Sequence, residues 1–255
     1  MRPARSPRAL AGVLPQGDRM RLDKYLHDLG FGTRRDIDRM LRNCEVTVNG
    51  ITAHKGKMAV TASDEVCVDG EVLCYEPFVT LMLNKPAGVL SATVDARDKT
   101  VLDLLPENYA RMNVAPVGRL DKDTTGMLLL TNDGGYNHLL THPKKHIEKT
   151  YLVHYKGMLS EDAEKRCAEG IELSDFTTAP AQLVRVAEGV CRLTVTEGKF
   201  HQVKRMMLAM ACEVTALQRE RIGGLSLDEA LAPGQWRLLT AEERAAALGE
   251  EGENQ

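Results

Sequence analysis

The sequence predicts an α+β fold in two parts: a small N-terminal domain, then a larger domain with a mixed, mostly antiparallel sheet flanked by helices. Three observations predict it. Over residues 20–75, two short segments of helical period are followed by two alternating runs closed by Asn-Gly and Asp-Gly. The Pro-containing break Glu76-Pro77-Phe78 then separates this region from one where strands and single helices intermix. No regular series of βαβ units follows, which argues against an all-parallel sheet.

In order along the chain, residues 1–19 begin with arginines, and their short apolar stretch is broken by Gly12 and Pro15, unlike an export signal. They read either as a disordered tail or as an upstream start ahead of Met20, and both readings stay open. Leu22, Tyr25, Leu26 and Leu29 share one face of a helix that Gly30 ends. Thr33 is the expected N-cap of a second helix, with Ile37, Met40 and Leu41 inward and Arg34, Arg35, Arg39 and Arg42 largely elsewhere. Val46–Ile51 and Val66–Val72 are the two expected hairpins.

After the break, strands are expected at Val79–Leu83, Met127–Thr131, Lys149–Tyr155 and Cys191–Thr196. Helices are expected around Tyr136–Thr141, over 160–170 and at His201–Ala211. The larger domain is placed at 79–243, followed by an acidic tail at 244–255.

Composition narrows the function classes. Hydrophobic residues at 43% and charged residues at 27% are those of a soluble globular protein, and no apolar run approaches the roughly 18 residues of a membrane span. Six scattered cysteines without a C-x-x-C pair indicate neither a zinc site nor a disulfide framework, so reduced thiols and a cytoplasmic location are expected. The net charge of −3 hides local asymmetry: 241–255 carries −4, while 20–57 and 199–222 each carry +3. Two local basic patches are what phosphate contact requires.

The residues that carry chemistry begin with Gly118-Arg119-Leu120-Asp121-Lys122-Asp123-Thr124-Thr125-Gly126, a polar loop bounded by glycines and feeding a very apolar strand. Alone, Asp121 reads as a turn residue bonded to its own backbone. The longer string through Asn132-Asp133-Gly134 closely resembles the signature of pseudouridine synthases of the RsuA type. Leu83–Gly88, Glu148–Val153 and Glu197–Met206 resemble further motifs of that family in the expected order, and Arg219–Gly224 extends the match toward the end. Residues 20–75 resemble the S4 RNA-binding domain through Met20–Leu26 and Arg34-Arg35-Asp36, which implies that Arg21, Lys24, Arg34, Arg35, Arg39 and Arg42 face RNA.

The resemblance implies the isomerisation of uridine to pseudouridine, which needs neither metal nor cofactor. It implies that Asp121 is the essential carboxylate, acting as nucleophile at C1′ or as base at C2′; both roles need it ionised. A buried carboxylate resists ionisation without a cation beside it, and Lys204 is the expected partner, with Arg205 about 100° away on the same helix. Tyr151 is assigned to stack on the extruded base, with its hydroxyl a candidate for removing the C5 proton. Lys85, Arg119, Arg205 and Arg219 are candidate phosphate or substrate contacts, as are His201 and Gln202.

Within the family, Phe200–Met206 resembles the enzymes of small-subunit ribosomal RNA. The large-subunit enzymes tend to carry Asn-Arg-Gln-Val-Arg-Arg there, and the same reaction on large-subunit (23S) ribosomal RNA is the runner-up. The expected partner is therefore ribosomal RNA or a small-subunit assembly intermediate, engaged by a monomer. Two other classes compete: a non-catalytic RNA-binding assembly factor, which would have no need of Asp121, Tyr151 and Lys204 together, and a glycoside hydrolase, for which no second carboxylate is evident.

Overall fold

The structure is a computed structural model, and it describes residues 19–61 and 63–250. The readings made for 1–18 and 251–255 lie outside the described residues. The chain forms two compact units, the first running through Val79 and taking in Leu105–Val114, the second made of Thr80–Leu104 and Ala115 onward.

In the first unit, β1 (Met20–Arg21) leads into α1 (Leu22–Asp28), and α2 (Arg34–Asn43) follows. Thr33 caps α2 through a capping box with Asp36. Strands β2 (Val46–Val48), β3 (Ile51–Thr52), β5 (Val66–Val68) and β6 (Glu71–Leu73) form the two expected hairpins, whose turns hold Asn49 and Asp69 in the left-handed region. The hairpins join through β2 and β5 into one four-stranded sheet, while β4 (Ala59–Val60) pairs with β1. Leu22, Leu26, Ile37, Val46, Val60 and Val66 form the fully buried core.

The second unit is built on β7 (Thr80–Lys85), β8 (Ala115–Pro116), β9 (Thr125–Thr131), β10 (Lys149–Lys156), β11 (Gln182–Ala187), β12 (Val190–Val195), β13 (Glu213–Ile222), β14 (Leu225–Ser226) and β15 (Trp236–Leu238). They form a nine-stranded sheet ordered β11-β12-β10-β13-β9-β7-β15, with β14 on β13 and β8 on β9. Every pairing is antiparallel except β13 with β9, where Gln218 faces Thr125 and Arg219 faces Gly126. Helices α4 (Gly134–Thr141), α5 (Ala163–Glu169), α6 (Gln202–Ala209) and α7 (Ala241–Ala247) complete the unit.

Two features depart from the expected boundaries. The short helix α3 (Glu107–Arg111) lies in the middle of the span expected to be catalytic, yet belongs to the first unit, where a Cβ on Gly30 would meet the Asn108 carbonyl at 2.9 Å. Its own residues bury nothing, so the helix carries no apolar stripe to announce it. Helix α7 runs across the expected start of the acidic tail. Arg244 pairs with Asp133 at 2.7 Å and lies over the Tyr136 ring, and Ala247 is fully buried in the core with Met82, Met127 and Leu129. The acidic composition hid a docked helix.

Candidate functional site

Asp121 stands on the loop that enters β9, and that loop is braced on both sides. Ahead of it, the Ser91 hydroxyl donates to the Leu120 carbonyl at 2.8 Å and accepts from the Leu120 N–H at 3.0 Å. Behind it, the Lys85 ammonium donates to the carbonyls of Lys122 and Thr124 at 3.2 and 2.8 Å, and to that of Pro86 at 3.0 Å. Gly126 closes the loop with φ +95°, and any Cβ there would fall 2.4 Å from the Arg219 carbonyl oxygen. Only glycine fits this crossing, which lies at the parallel step of the sheet.

That step brings three elements together. Helix α6 precedes β13 and delivers Lys204, whose ammonium lies 3.0 Å from one oxygen of Asp121 and 2.7 Å from Asp123. His201, the residue before α6, has φ +49° and places Nε2 3.5 Å from the other Asp121 oxygen. Tyr151 on β10 is nearly buried, directly opposite Arg219 of β13. One cleft is lined by Arg119, Asp121, Thr124, Tyr151, Lys204 and Leu217 among others. A larger hollow around Lys145–Glu148 and Gly223 contains none of these residues.

Burial alone would depress the Lys204 ammonium, but the hydrogen bonds it donates to Asp123 and Asp121 outweigh it and hold its pKa above the usual lysine value. The Lys204 contact in turn holds Asp123 below the usual carboxylate range. The arrangement is a half-buried carboxylate with a cation on one oxygen and an imidazole beside the other, next to an aromatic ring whose hydroxyl has no partner among the described residues. It can set a cation-paired carboxylate next to a planar ligand stacked on Tyr151.

Asp121, Tyr151, Lys204, His201 and Arg119 thus converge as the sequence suggests. Arg119 is exposed and without a partner among the described residues, so it is free to hold an anion. Arg205 does point away from Lys204, into Asp175 and Ser174. Among the N-terminal cations, Arg21 bonds Asp23 and Lys24 pairs with Asp28, whereas Arg34, Arg35, Arg39 and Arg42 are exposed and make no ion pair or hydrogen bond through their side chains among the described residues.

Three expectations are corrected. Lys85 is fully buried in an interior strand, so it cannot reach a phosphate; it braces the Asp121 loop instead. Burial lowers its pKa to about 8, against an opposing pull from Asp123 and Asp121. Arg219 is likewise buried in an interior strand, with Nε donating to the Met127 carbonyl at 2.8 Å. Gln202 is buried and spends both ends of its amide on the Lys199 N–H and Glu197, so it holds the turn before α6 rather than a substrate. Asp123, the second partner of Lys204, was overlooked; its place two residues from Asp121 on the same polar loop was the available signal.

Comparisons with known proteins give the family and the domains. A family model described as RNA pseudouridylate synthase matches residues 79–209, and an S4 domain model matches residues 20–66. The chain belongs to the RNA pseudouridine synthase family. A Bacillus subtilis (strain 168) protein named as an uncharacterized RNA pseudouridine synthase, YtzG, is 45% identical across 88% of this chain and 96% of the relative. A Yersinia pestis protein named ribosomal small subunit pseudouridine synthase A is 42% identical across 89% of this chain and 97% of its own. A solved structure of a pseudouridylate synthase superposes with a TM-score of 0.63 at 37% identity, covering 89% of this chain and 99% of that one. The chain is thus an RNA pseudouridine synthase of the RsuA type with an S4 domain at its N-terminal side, and its reaction is an isomerisation. Among the described residues, no helix is long and apolar enough to cross a membrane.

Proposed function

We propose that the protein converts one uridine of small-subunit ribosomal RNA to pseudouridine, with Asp121 as the catalytic carboxylate. The observation that carries the assignment of Asp121 is its ion pair with Lys204 at 3.0 Å in a cleft shared with Tyr151. The uridine is turned out of its stack and its uracil rests on Tyr151. Asp121 either attacks C1′ or takes a proton from C2′. In both routes the N1–C1′ bond breaks, the base rotates and C5 joins C1′, which displaces the Asp121 carboxylate from C1′ in the first route and is accompanied by return of the proton to C2′ in the second; the proton then lost from C5 is balanced by one gained at N1. Lys204 pairs with the carboxylate, and the Arg119 guanidinium, which has no partner among the described residues, holds a phosphate beside the cleft. Arg34, Arg35, Arg39 and Arg42 of the S4 domain contact the RNA backbone.

The subunit assignment rests on relatives named for the small subunit at 42% identity in Yersinia pestis and 40% in Escherichia coli (strain K12), each over about nine-tenths of this chain. The substrate is this RNA, naked or within an assembly intermediate, engaged by a monomer in the cytoplasm. Carbodiimide-dependent reverse-transcription stops, mapped on ribosomal RNA from cells with and without the gene, test the target. The reading predicts one stop missing from small-subunit RNA in the deletion strain. A stop missing only from large-subunit RNA overturns the target, and no missing stop overturns ribosomal RNA as substrate.

A further inference from the structure

Phe200 is 77% exposed, an unusual position for one of only four phenylalanines in the chain. One face of its ring is stacked on the imidazole of His201, with centroids 3.8 Å apart and planes 18° from parallel. His201 itself reaches toward Asp121, in a left-handed conformation that is strained for a residue other than glycine. The strained turn therefore holds a phenyl ring at the rim of the cleft, one aromatic layer from the carboxylate. Its second face is bare. Phe176 nearby makes the contrast, because its ring is already occupied by the Lys199 ammonium at 3.5 Å from the centroid and the Arg205 guanidinium at 5.2 Å.

We propose that Phe200 is a stacking platform for an unpaired nucleobase directly adjacent to the target uridine. This rests on the reading above, in which the cleft takes the flipped uridine. Tyr151 is nearly buried within the cleft and serves the target base, whereas Phe200 lies outside it where the next nucleotide must emerge. The surroundings suit RNA rather than an apolar protein partner: exposed Arg119 lines the cleft and, with no partner among the described residues, meets a phosphate beside the stacked base. Stacking is tolerant of base identity because every base has a π-face, so the platform selects for an unpaired neighbour more than for a particular letter. The enzyme then requires its target in a single-stranded or readily opened segment.

The test uses the full chain carrying Asp121→Asn, so that binding is read without turnover. The probe is a short single-stranded oligouridylate with 2-aminopurine placed immediately 5′ or immediately 3′ of an internal uridine. With Phe200 present, fluorescence is quenched on binding at one of the two positions. Phe200→Ala removes the quench and weakens binding roughly 5- to 150-fold, the fold-change of about 1–3 kcal/mol of base stacking. Phe200→Trp restores both, and Phe200→Leu behaves like the alanine variant. Unchanged affinity and fluorescence in Phe200→Ala, full restoration by Phe200→Leu, or no quench with Phe200 intact overturns the proposal. Thermal unfolding of each variant excludes misfolding, since the exposed ring contributes little to packing. Turnover of small-subunit RNA by Asp121→Asn instead contradicts the catalytic reading, and leaves the stacking result to be judged by its own signal.

Discussion

At the scale of single residues, the site works by placing several basic groups around one carboxylate in three different ways. Lys204 pairs with Asp121 directly, Arg119 stays free for an anion, and Lys85 acts from inside by holding the loop backbone. The last of these has a measurable pH signature. Burial lowers both Lys85 and Lys149 to about 8, from an ordinary value of 10.5. Between those two values the unfolded chain binds protons that these lysines have released in the folded chain, so their own contribution to stability rises with pH across that window. Burial raises Cys167, Cys191, Tyr25 and Tyr136, which contribute in the opposite direction, so the signature is read as the difference between wild type and Lys85→Met. Denaturant unfolding from pH 7.5 to about 10.5 is expected to show the stability of wild type relative to Lys85→Met rising above pH 8. The same deprotonation removes one of the donors that pin the Lys122 and Thr124 carbonyls, so activity is expected to fall through the same window. A difference that is flat or falling contradicts the assignment of Lys85 as a buried, readily deprotonated lysine.

At the scale of elements, helix α7 is held to α4 by Arg244, through its ion pair with Asp133 and its place over Tyr136. Arg244→Ala is expected to destabilise the second unit by about 1–2 kcal/mol, lowering the melting temperature by roughly 2–6 °C in calorimetry. An unchanged melting temperature means that the Arg244 side chain contributes no docking energy. This helix also shows where sequence reading stops. Helices α1, α2, α4, α5 and α6 were legible because capping residues or apolar spacing mark them, as with Thr33 or Val203, Met206 and Met207. The run Ala-Glu-Glu-Arg-Ala-Ala-Ala reads as a charged tail because its anchors are an arginine and small alanines, and α3 reads as nothing because it buries nothing. In the site, Asp121 stood out only through the resemblance of the string around it to the family signature; its Gly-bounded loop alone reads as a structural turn. Lys85 and Arg219 were misread because strand order, not local composition, decides which basic residue ends up inside a sheet.

At the scale of the whole molecule, an overall charge of −3 coexists with RNA binding because the cations are clustered rather than numerous. The four unpaired arginines of α2 lie in the S4 domain, and a second basic cluster surrounds the cleft of the synthase domain. Substrate capture and catalysis are thus assigned to different residues, and one substitution should separate them. The most direct measurement compares the wild-type chain with Asp121→Asn on a small-subunit ribosomal RNA transcript, counting pseudouridine formed by nuclease digestion and chromatography and measuring RNA affinity in parallel. The account predicts no detectable pseudouridine from the variant and an affinity within about threefold of wild type, since the phosphate contacts that dominate binding are untouched. Pseudouridine formed by Asp121→Asn at a rate comparable to wild type contradicts it.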